Sequence, residues 1–431
     1  MRIWERFGYG CVRSRNGSSP PTSNPPNSAF SFGPFNSSTQ KRWKKPVDSA
    51  QTRLENRTRD LKLDKLQTHL NMLNIVLRLQ ELMSKRRGPF VSVQLMSRWK
   101  NIAGLNVGVG VFLRKRPHIF DVFVHPVKKN LCCRITRKMA ELIKEEEDAI
   151  RNLELENIQR IKKLLMMSMN GTLHVHALGL VRRELGLPED FRYSILRKYS
   201  DKFKLVDLEI VSLVDRDEVL GVAGVEKWRE REYKEKWLSE FETKYAFPIN
   251  LPTGYRIESG FRQGLKNWQR LPYVKPHEAK QVVRARNCGG IERLEKRVVG
   301  ILHEFLSLTV EKMVEVDRLV HFRRDLGMEV NLRELLLKHP GIFYISTKGN
   351  TQTVFLREAY NKGCMVEPNP IYVVRRKMLD LILQGSRNTR GLQSSHDKIL
   401  EGYSENVESN EDRDGRAVGD WAIPILESFD D

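Results

Sequence analysis

Cationic side chains recur beside aromatic rings along this chain. Arg98-Trp99-Lys100 forms one cluster, Arg114-Lys115-Arg116 a second, and Lys266, Trp268, Arg270 and Tyr273 a third. Guanidinium and ammonium groups neutralise phosphates while aromatic faces stack on unpaired bases, so this mixture suits structured or single-stranded RNA. Each cluster alone is a weak signal, because Lys and Arg usually form a solvated face and a tryptophan is more often core. Recurrence strengthens it: Arg114-Lys115-Arg116, Arg197-Lys198 and Lys338-His339 occupy equivalent places in an internal repeat, and Lys348 lies in the turn that follows the last of them. Positively charged repeats can track one nucleic-acid backbone.

Bond-making chemistry finds no comparable constellation. There is no glycine loop ending in Lys-Ser/Thr, no pair of histidines four apart on a helix and no nucleophile elbow. His174 and His176 stand two apart without a Cys or carboxylate at zinc spacing, and His303-Glu304 lacks a second histidine. Glu145, Glu146, Glu147 and Asp148 are consecutive, so on a helix they spread around it and read as a solvated face. Gly108-Val109-Gly110 lacks the preceding strand a dinucleotide site needs and reads as local backbone adaptation. The expectation is no catalytic residue, no metal and no cofactor.

The 431 residues are 40% hydrophobic, enough for cores, and carry a net charge of +20 that points to polyanionic partners. Residues 385–431 hold 11 acidic and 5 basic side chains, which leaves +26 on residues 1–384. No apolar run reaches the roughly 18 residues of a membrane span, so no membrane insertion is expected. The five cysteines show neither metal-ligand spacing nor disulfide density, as in a reducing compartment. Residues 1–47 contain eight Ser, six Pro, eight basic residues and one acid, Glu5, the composition of an organelle transit peptide. Ile3, Trp4 and Phe7 can share a helical face with Arg2, Arg6 and Arg13 around it, which favours mitochondria over chloroplasts. The segmentation is therefore a transit peptide over 1–40, a folded body over 41–383 and an acidic tail over 384–431, too poor in apolar residues to order itself.

The elements that must position the cations come from the repeat. Lys115, Lys198 and Lys338 each stand five residues before a phenylalanine, Phe120, Phe203 and Phe343. Upstream of each lysine, by 11, 12 and 11 residues, lies Gly104, Gly186 or Gly327, suited to a left-handed helix end. Apolar residues at helical spacing precede those glycines (Val175, Leu178 and Val181; Val316, Leu319 and Val320), and Leu332, Leu335 and Leu336 mark a second helix. A β-hairpin follows over Ile342–Ser346 and Thr351–Leu356, another over Ile119–Val124 and Leu131–Ile135, while Lys204–Val214 shows no clear turn. Long amphipathic helices join the units, striped by Leu66, Leu70, Leu73 and Leu77; by Ile150, Leu153, Ile158, Ile161 and Leu165; by Tyr233, Trp237, Phe241 and Tyr245; and by Leu294, Val298, Ile301, Phe305 and Leu308. The predicted class is mainly α with short β-hairpins (α+β): three winged-helix-like units, helix-turn-helix plus hairpin, over about 89–138, 169–215 and 310–360. The rival architecture is a plain helical repeat with incidental β connections.

Leu271-Pro272-Tyr273, His339-Pro340-Gly341-Ile342-Phe343-Tyr344-Ile345-Ser346, Lys348-Gly349 and Thr353-Val354-Phe355-Leu356-Arg357-Glu358-Ala359-Tyr360 resemble the plant organelle RNA recognition domain family. The resemblance spans about residues 40–380, including Lys41–Lys45, Arg59-Asp60 and Leu63-Asp64. It implies a noncatalytic protein that binds intron-containing organellar RNA and promotes group II intron splicing, with other splicing factors in a ribonucleoprotein as partners. It does not fix contact residues. The repeated Leu-rich helices also resemble the mitochondrial transcription termination factor family, which would imply double-stranded DNA, although the β-like tails do not suit an all-helical solenoid. An organellar ribosome-associated or assembly protein would share the same charge and leader.

Overall fold

The computed structural model describes residues 50–384, apart from 237–243, 258, 279–289 and 350. Two helices, α1 (Ala50–Asn56) and α2 (Leu61–Ser84), lead into a unit built as β1 (Val91–Ser92), α3 (Val93–Ser97), α4 (Lys100–Ala103), α5 (Val109–Arg114), β2 (Phe120–Val124) and β3 (Leu131–Ile135). Helices α6 (Arg137–Asn152) and α7 (Glu154–Met167) carry the chain to a second unit: β4 (Thr172–His174), α8 (Val175–Leu180), a π-helix over Arg192–Arg197, β5 (Phe203–Val206) and β6 (Ile210–Leu213). After α9 (Gly224–Lys236), α10 (Phe261–Arg270) and α11 (Gly290–Leu308) comes the third: β7 (Met313–Glu315), α12 (Val316–Val320), α13 (Leu332–Lys338), β8 (Phe343–Ser346) and β9 (Thr353–Leu356). A small ribbon of β10 (Tyr360–Asn361) and β11 (Cys364–Met365) precedes α14 (Pro370–Gln384). The class is α+β, and each unit holds a three-stranded antiparallel sheet in which the first strand pairs the third and the third pairs the second.

The repeat spacing has a backbone cause. Gly104, Gly186 and Gly327 sit at φ 73°, 70° and 63°. In each unit the N–H one residue beyond the glycine reaches back five residues, Leu105 to Lys100, Leu187 to Arg182 and Met328 to Arg323, at 2.9 Å each. That is the 6→1 bond of a glycine-terminated helix, and it turns the chain at one fixed angle. Downstream, the N–H groups of Phe120, Phe203 and Phe343 donate to the carbonyls of Arg116, Tyr199 and His339 at 3.0 Å each. All three rings are buried, each contributing about 1.5–3 kcal/mol of hydrophobic stabilisation.

The second unit does form a hairpin, with Val206 opposite Ile210. Its turn uses Asp207 and Leu208 at φ 49° and 59°, with a lone Asp and no glycine, asparagine or proline, so the turn signal in the sequence was weak. Neither Gly108 nor Gly110 has positive φ, and a Cβ on either would meet nothing within 4 Å, so that pair is an ordinary helix start rather than a backbone adaptation. Val320 is exposed, unlike its expected core stripe. The stripe through Leu153 is broken there, between α6 and α7, and of the Tyr233–Tyr245 stripe Trp237 and Phe241 lie outside the described residues, while Tyr233 is exposed.

The third unit differs from the others in its setting. Every residue of β8 and β9 is buried. Phe343, Ile345, Val354 and Leu356 belong to one core with the second unit, and Tyr344 and Phe355 to another with the first. Because successive strand residues point to opposite faces, this one sheet is a partition between two cores. Buried polar bonds fix it: Asp64 on α2 accepts from Arg59 at 2.9 Å, Tyr344 Oη at 2.9 Å and Ser346 Oγ at 2.6 Å. Burial opposes ionisation of Asp64, yet these donors hold its pKa below the usual carboxylate value. Elsewhere Arg375 on α14 bonds Glu146 and Glu311 at 2.7 Å each and the Arg183 carbonyl at 3.0 Å. Glu146 is thus buried, not part of a solvated acidic face, because an arginine 229 residues away claims it.

Candidate nucleic-acid interface

The first unit presents its cations openly. Arg98 follows α3, Lys100 opens α4, and Arg114 and Lys115 end α5; all four are exposed. Arg114 Nε touches only its own helix, at Gly110 O, and no ion pair is recorded for any of the four among the described residues. An unpaired exposed cation keeps its full charge for a phosphate, whereas one already held by a carboxylate must first give it up. The first hairpin adds Lys128 and Lys129, exposed in the turn between β2 and β3, where Lys129 takes φ 48°. Sequence reasoning placed that turn but did not count its lysines; a basic pair at a hairpin tip was the available signal.

Two expected members are withdrawn from this surface. Trp99 is 6% exposed and packs in the core beneath the Arg86 guanidinium, 5.9 Å away. Its apolar ring fills the turn between α3 and α4, so it offers no face to a base. Arg116 folds back over the Phe112 ring at 3.8 Å and donates to Phe112 O at 3.1 Å, with burial lowering its pKa.

In the second unit the lysine is neutralised. Lys198 donates to Glu154 on α7 at 2.7 Å, and that bond raises its pKa. Arg197 remains exposed, its guanidinium 5.4 Å over the ring of Tyr193. Tyr193 is 65% exposed and was not foreseen as a site residue, since it stands outside the Lys–Phe spacing that defined the repeat.

In the third unit both repeat residues, Lys338 and His339, are engaged within the fold. Lys338 pairs with Glu295 on α11. His339 stacks on Trp268 at 4.6 Å, and burial, with Lys338 and Lys296 nearby, pushes its pKa down to about 3, so it is neutral at pH 7. Trp268 is half-buried between Phe247 and that histidine, and Tyr273 is 7% exposed, its hydroxyl accepting from Arg229 at 2.7 Å. Lys296 lies 4.7 Å from the Trp268 ring and donates to the carbonyls of Trp268, Gln269 and Leu271 at 2.6, 2.9 and 2.8 Å, closing the end of α10. Tyr273 is therefore interior scaffolding, which corrects its reading as a base-stacking ring, while Trp268 is half-buried beside it. Arg270 and Lys348 are exposed, the latter in the tip of the third hairpin. Among the described residues no group of three or more His, Cys, Asp or Glu is arranged to hold a metal, and no helix is long and apolar enough to cross a membrane.

Comparison with known proteins gives this arrangement a family. Residues 58–387 match the plant organelle RNA recognition domain. The chain belongs to that family. Every candidate contact of the plant organelle RNA recognition protein, from Arg98 to Lys348, falls inside the matched stretch. It is similar to the Arabidopsis thaliana protein ROOT PRIMORDIUM DEFECTIVE 1, 40% identical over 65% of this chain and 71% of that protein. It is also similar to the Zea mays protein WHAT'S THIS FACTOR 1, chloroplastic, 31% identical over 72% of this chain and 63% of that protein. A third relative is the Arabidopsis thaliana protein WHAT'S THIS FACTOR 9, mitochondrial, 32% identical over 65% and 74% respectively. No solved structure matches the chain.

Proposed function

We propose that this protein binds intron-containing RNA in plant mitochondria, with the chloroplast as the alternative compartment, and promotes group II intron splicing without catalysing it. The observation that carries the reading is the set Arg98, Lys100, Arg114 and Lys115, four exposed cations with no carboxylate partner among the described residues, in one unit of a protein of this RNA-recognition family. Each unit enters through a long helix and a short strand, continues as short helices on either side of a left-handed glycine, and closes with a hairpin whose last strand pairs the first. That order supports a winged-helix reading, in which the second helix and the hairpin tip meet nucleic acid. In the first unit those are α5, with Arg114 and Lys115, and the tip with Lys128 and Lys129. Residues 1–40 then serve as transit peptide and 384–431 as an acidic tail.

Group II introns carry their own catalytic core, so the protein's work is differential binding of two RNA folds. A preference of about 3 kcal/mol for the active fold shifts its population ratio roughly a hundredfold. The test is immunoprecipitation of the tagged protein from purified mitochondria with sequencing of bound RNA, beside splicing ratios in a loss-of-function line. Enrichment of particular group II introns that also fail to splice is the expected result. Recovery of ribosomal RNA with normal splicing would replace this reading with ribosome assembly.

A further inference from the structure

The π-helix of the second unit carries an aromatic ring that the fold does not use. Its inward residues Ile195 and Leu196 are each 1% exposed and lock the segment to the core, while Tyr193 between them and Arg192 stands 65% exposed. A tyrosine ring left in water forgoes the burial that ordinarily keeps such a side chain in a protein's interior. Arg197, one position beyond Leu196, lays its guanidinium over that ring at 5.4 Å, and the tyrosine stays largely exposed beside it. Arg192, adjacent in sequence, is exposed, and no partner is recorded for its side chain among the described residues. π-helical turns are rare and gather at functional sites, because their wider winding displaces side chains from the positions an α-helix gives them.

These residues present what an unpaired nucleotide requires: a flat π-face for its base and cations on either side for its phosphates. A duplex offers the cations an equal partner but hides its bases in the stack. We propose that Tyr193 is a stacking platform for a single unpaired RNA base, with Arg197 backing the ring and Arg192 and Arg197 meeting the flanking phosphates. The inference rests on the RNA-binding reading and narrows it, since it makes the second unit a sensor of single-stranded RNA while the first unit's cations engage phosphates of any RNA. The neighbouring tyrosine shows the contrast: Tyr199 donates its hydroxyl to Glu154 at 3.1 Å and is half-buried under Lys198 and Lys202, so it is already occupied.

The test uses the full chain, a single-stranded oligoribonucleotide carrying 2-aminopurine and a perfect duplex of the same sequence. Tyr193→Ala is expected to weaken single-strand binding about 5- to 150-fold and to abolish the quenching of 2-aminopurine, with duplex affinity unchanged. Tyr193→Phe keeps the ring and should retain both. Because the side chain is exposed, both variants should melt as the wild type does. Equal losses on single strand and duplex, or an unchanged Tyr193→Ala, would overturn the platform while leaving RNA binding intact. A wild-type protein that binds neither RNA overturns the RNA reading itself and the platform with it.

Discussion

Removing two charges from the first unit should change the salt dependence of RNA binding in a way that removing two from the other units does not. Arg114 and Lys115 are exposed and have no ion pair among the described residues, whereas Lys198 and Lys338 are held by Glu154 and Glu295. Each phosphate contact on single-stranded RNA contributes about 0.7 to the slope of log affinity against log salt. The double variant Arg114→Gln/Lys115→Gln therefore loses about 1.4 from that slope, equivalent to about 25-fold in affinity at 0.1 M salt if the two lines meet at 1 M. The variant Lys198→Gln/Lys338→Gln removes cations whose charge is already offset within the protein, and frees two glutamates, so its slope should fall by less than half as much. Fluorescence anisotropy titrations between 0.05 and 0.3 M salt measure both, with thermal melts confirming that each variant is folded. Identical slopes for wild type and the Arg114/Lys115 variant, or a larger loss from the Lys198/Lys338 variant, would refute the argument that ion pairing decides which repeat cations face RNA.

Three further outcomes follow from the scaffold. Arg375→Met leaves Glu146 and Glu311 buried without their partner and should destabilise the protein by about 3–5 kcal/mol in urea unfolding. Gly186→Ala places a Cβ 2.7 Å from Ile371 at φ 70°, and should cost about 2–5 kcal/mol, while Gly110→Ala, in a helix with open space around it, should gain about 0.5–1 kcal/mol in the same assay. His339 has its folded pKa lowered to about 3 from 6.5, so the unfolded chain binds the extra proton and stability falls as pH drops below 6.5. Between pH 7 and pH 5 that loss is about 2 kcal/mol, and urea titrations of His339→Gln at both pH values should show it removed.

What the sequence revealed and what it hid divide along a physical line. The three left-handed glycines and the three buried phenylalanines were legible because each is fixed by bonds spanning no more than five residues, at Leu105, Leu187 and Met328 and at Phe120, Phe203 and Phe343. The second hairpin was not legible, since its turn sets Leu208, a residue with no preference for positive φ, beside Asp207 and uses no glycine or asparagine. The partition role of the third sheet left a trace that spacing alone does not decode. Ile342–Ile345 is an unbroken apolar run, the mark of a strand buried on both faces, where every strand of the other hairpins holds residues that are not fully buried.

Charge is where repeat logic fails. Equivalent lysines in the second and third units are neutralised by glutamates 44 and 43 residues earlier in the chain, on helices outside the repeat. Sequence equivalence thus predicts where a cation stands and says nothing of whether it is paired. Strands enclosed on both faces cannot carry unpaired charge, so β8 and β9 hold no charged residue and the exposed Lys348 of the third unit stands at the hairpin tip instead. The first unit keeps Lys128 and Lys129 in solvent at its hairpin tip, and among the described residues no carboxylate pairs Arg114 or Lys115 at the end of its α5. Three units that share one sheet order thus differ in how many repeat cations they leave unpaired, and the difference follows from which helices the rest of the chain lays beside each.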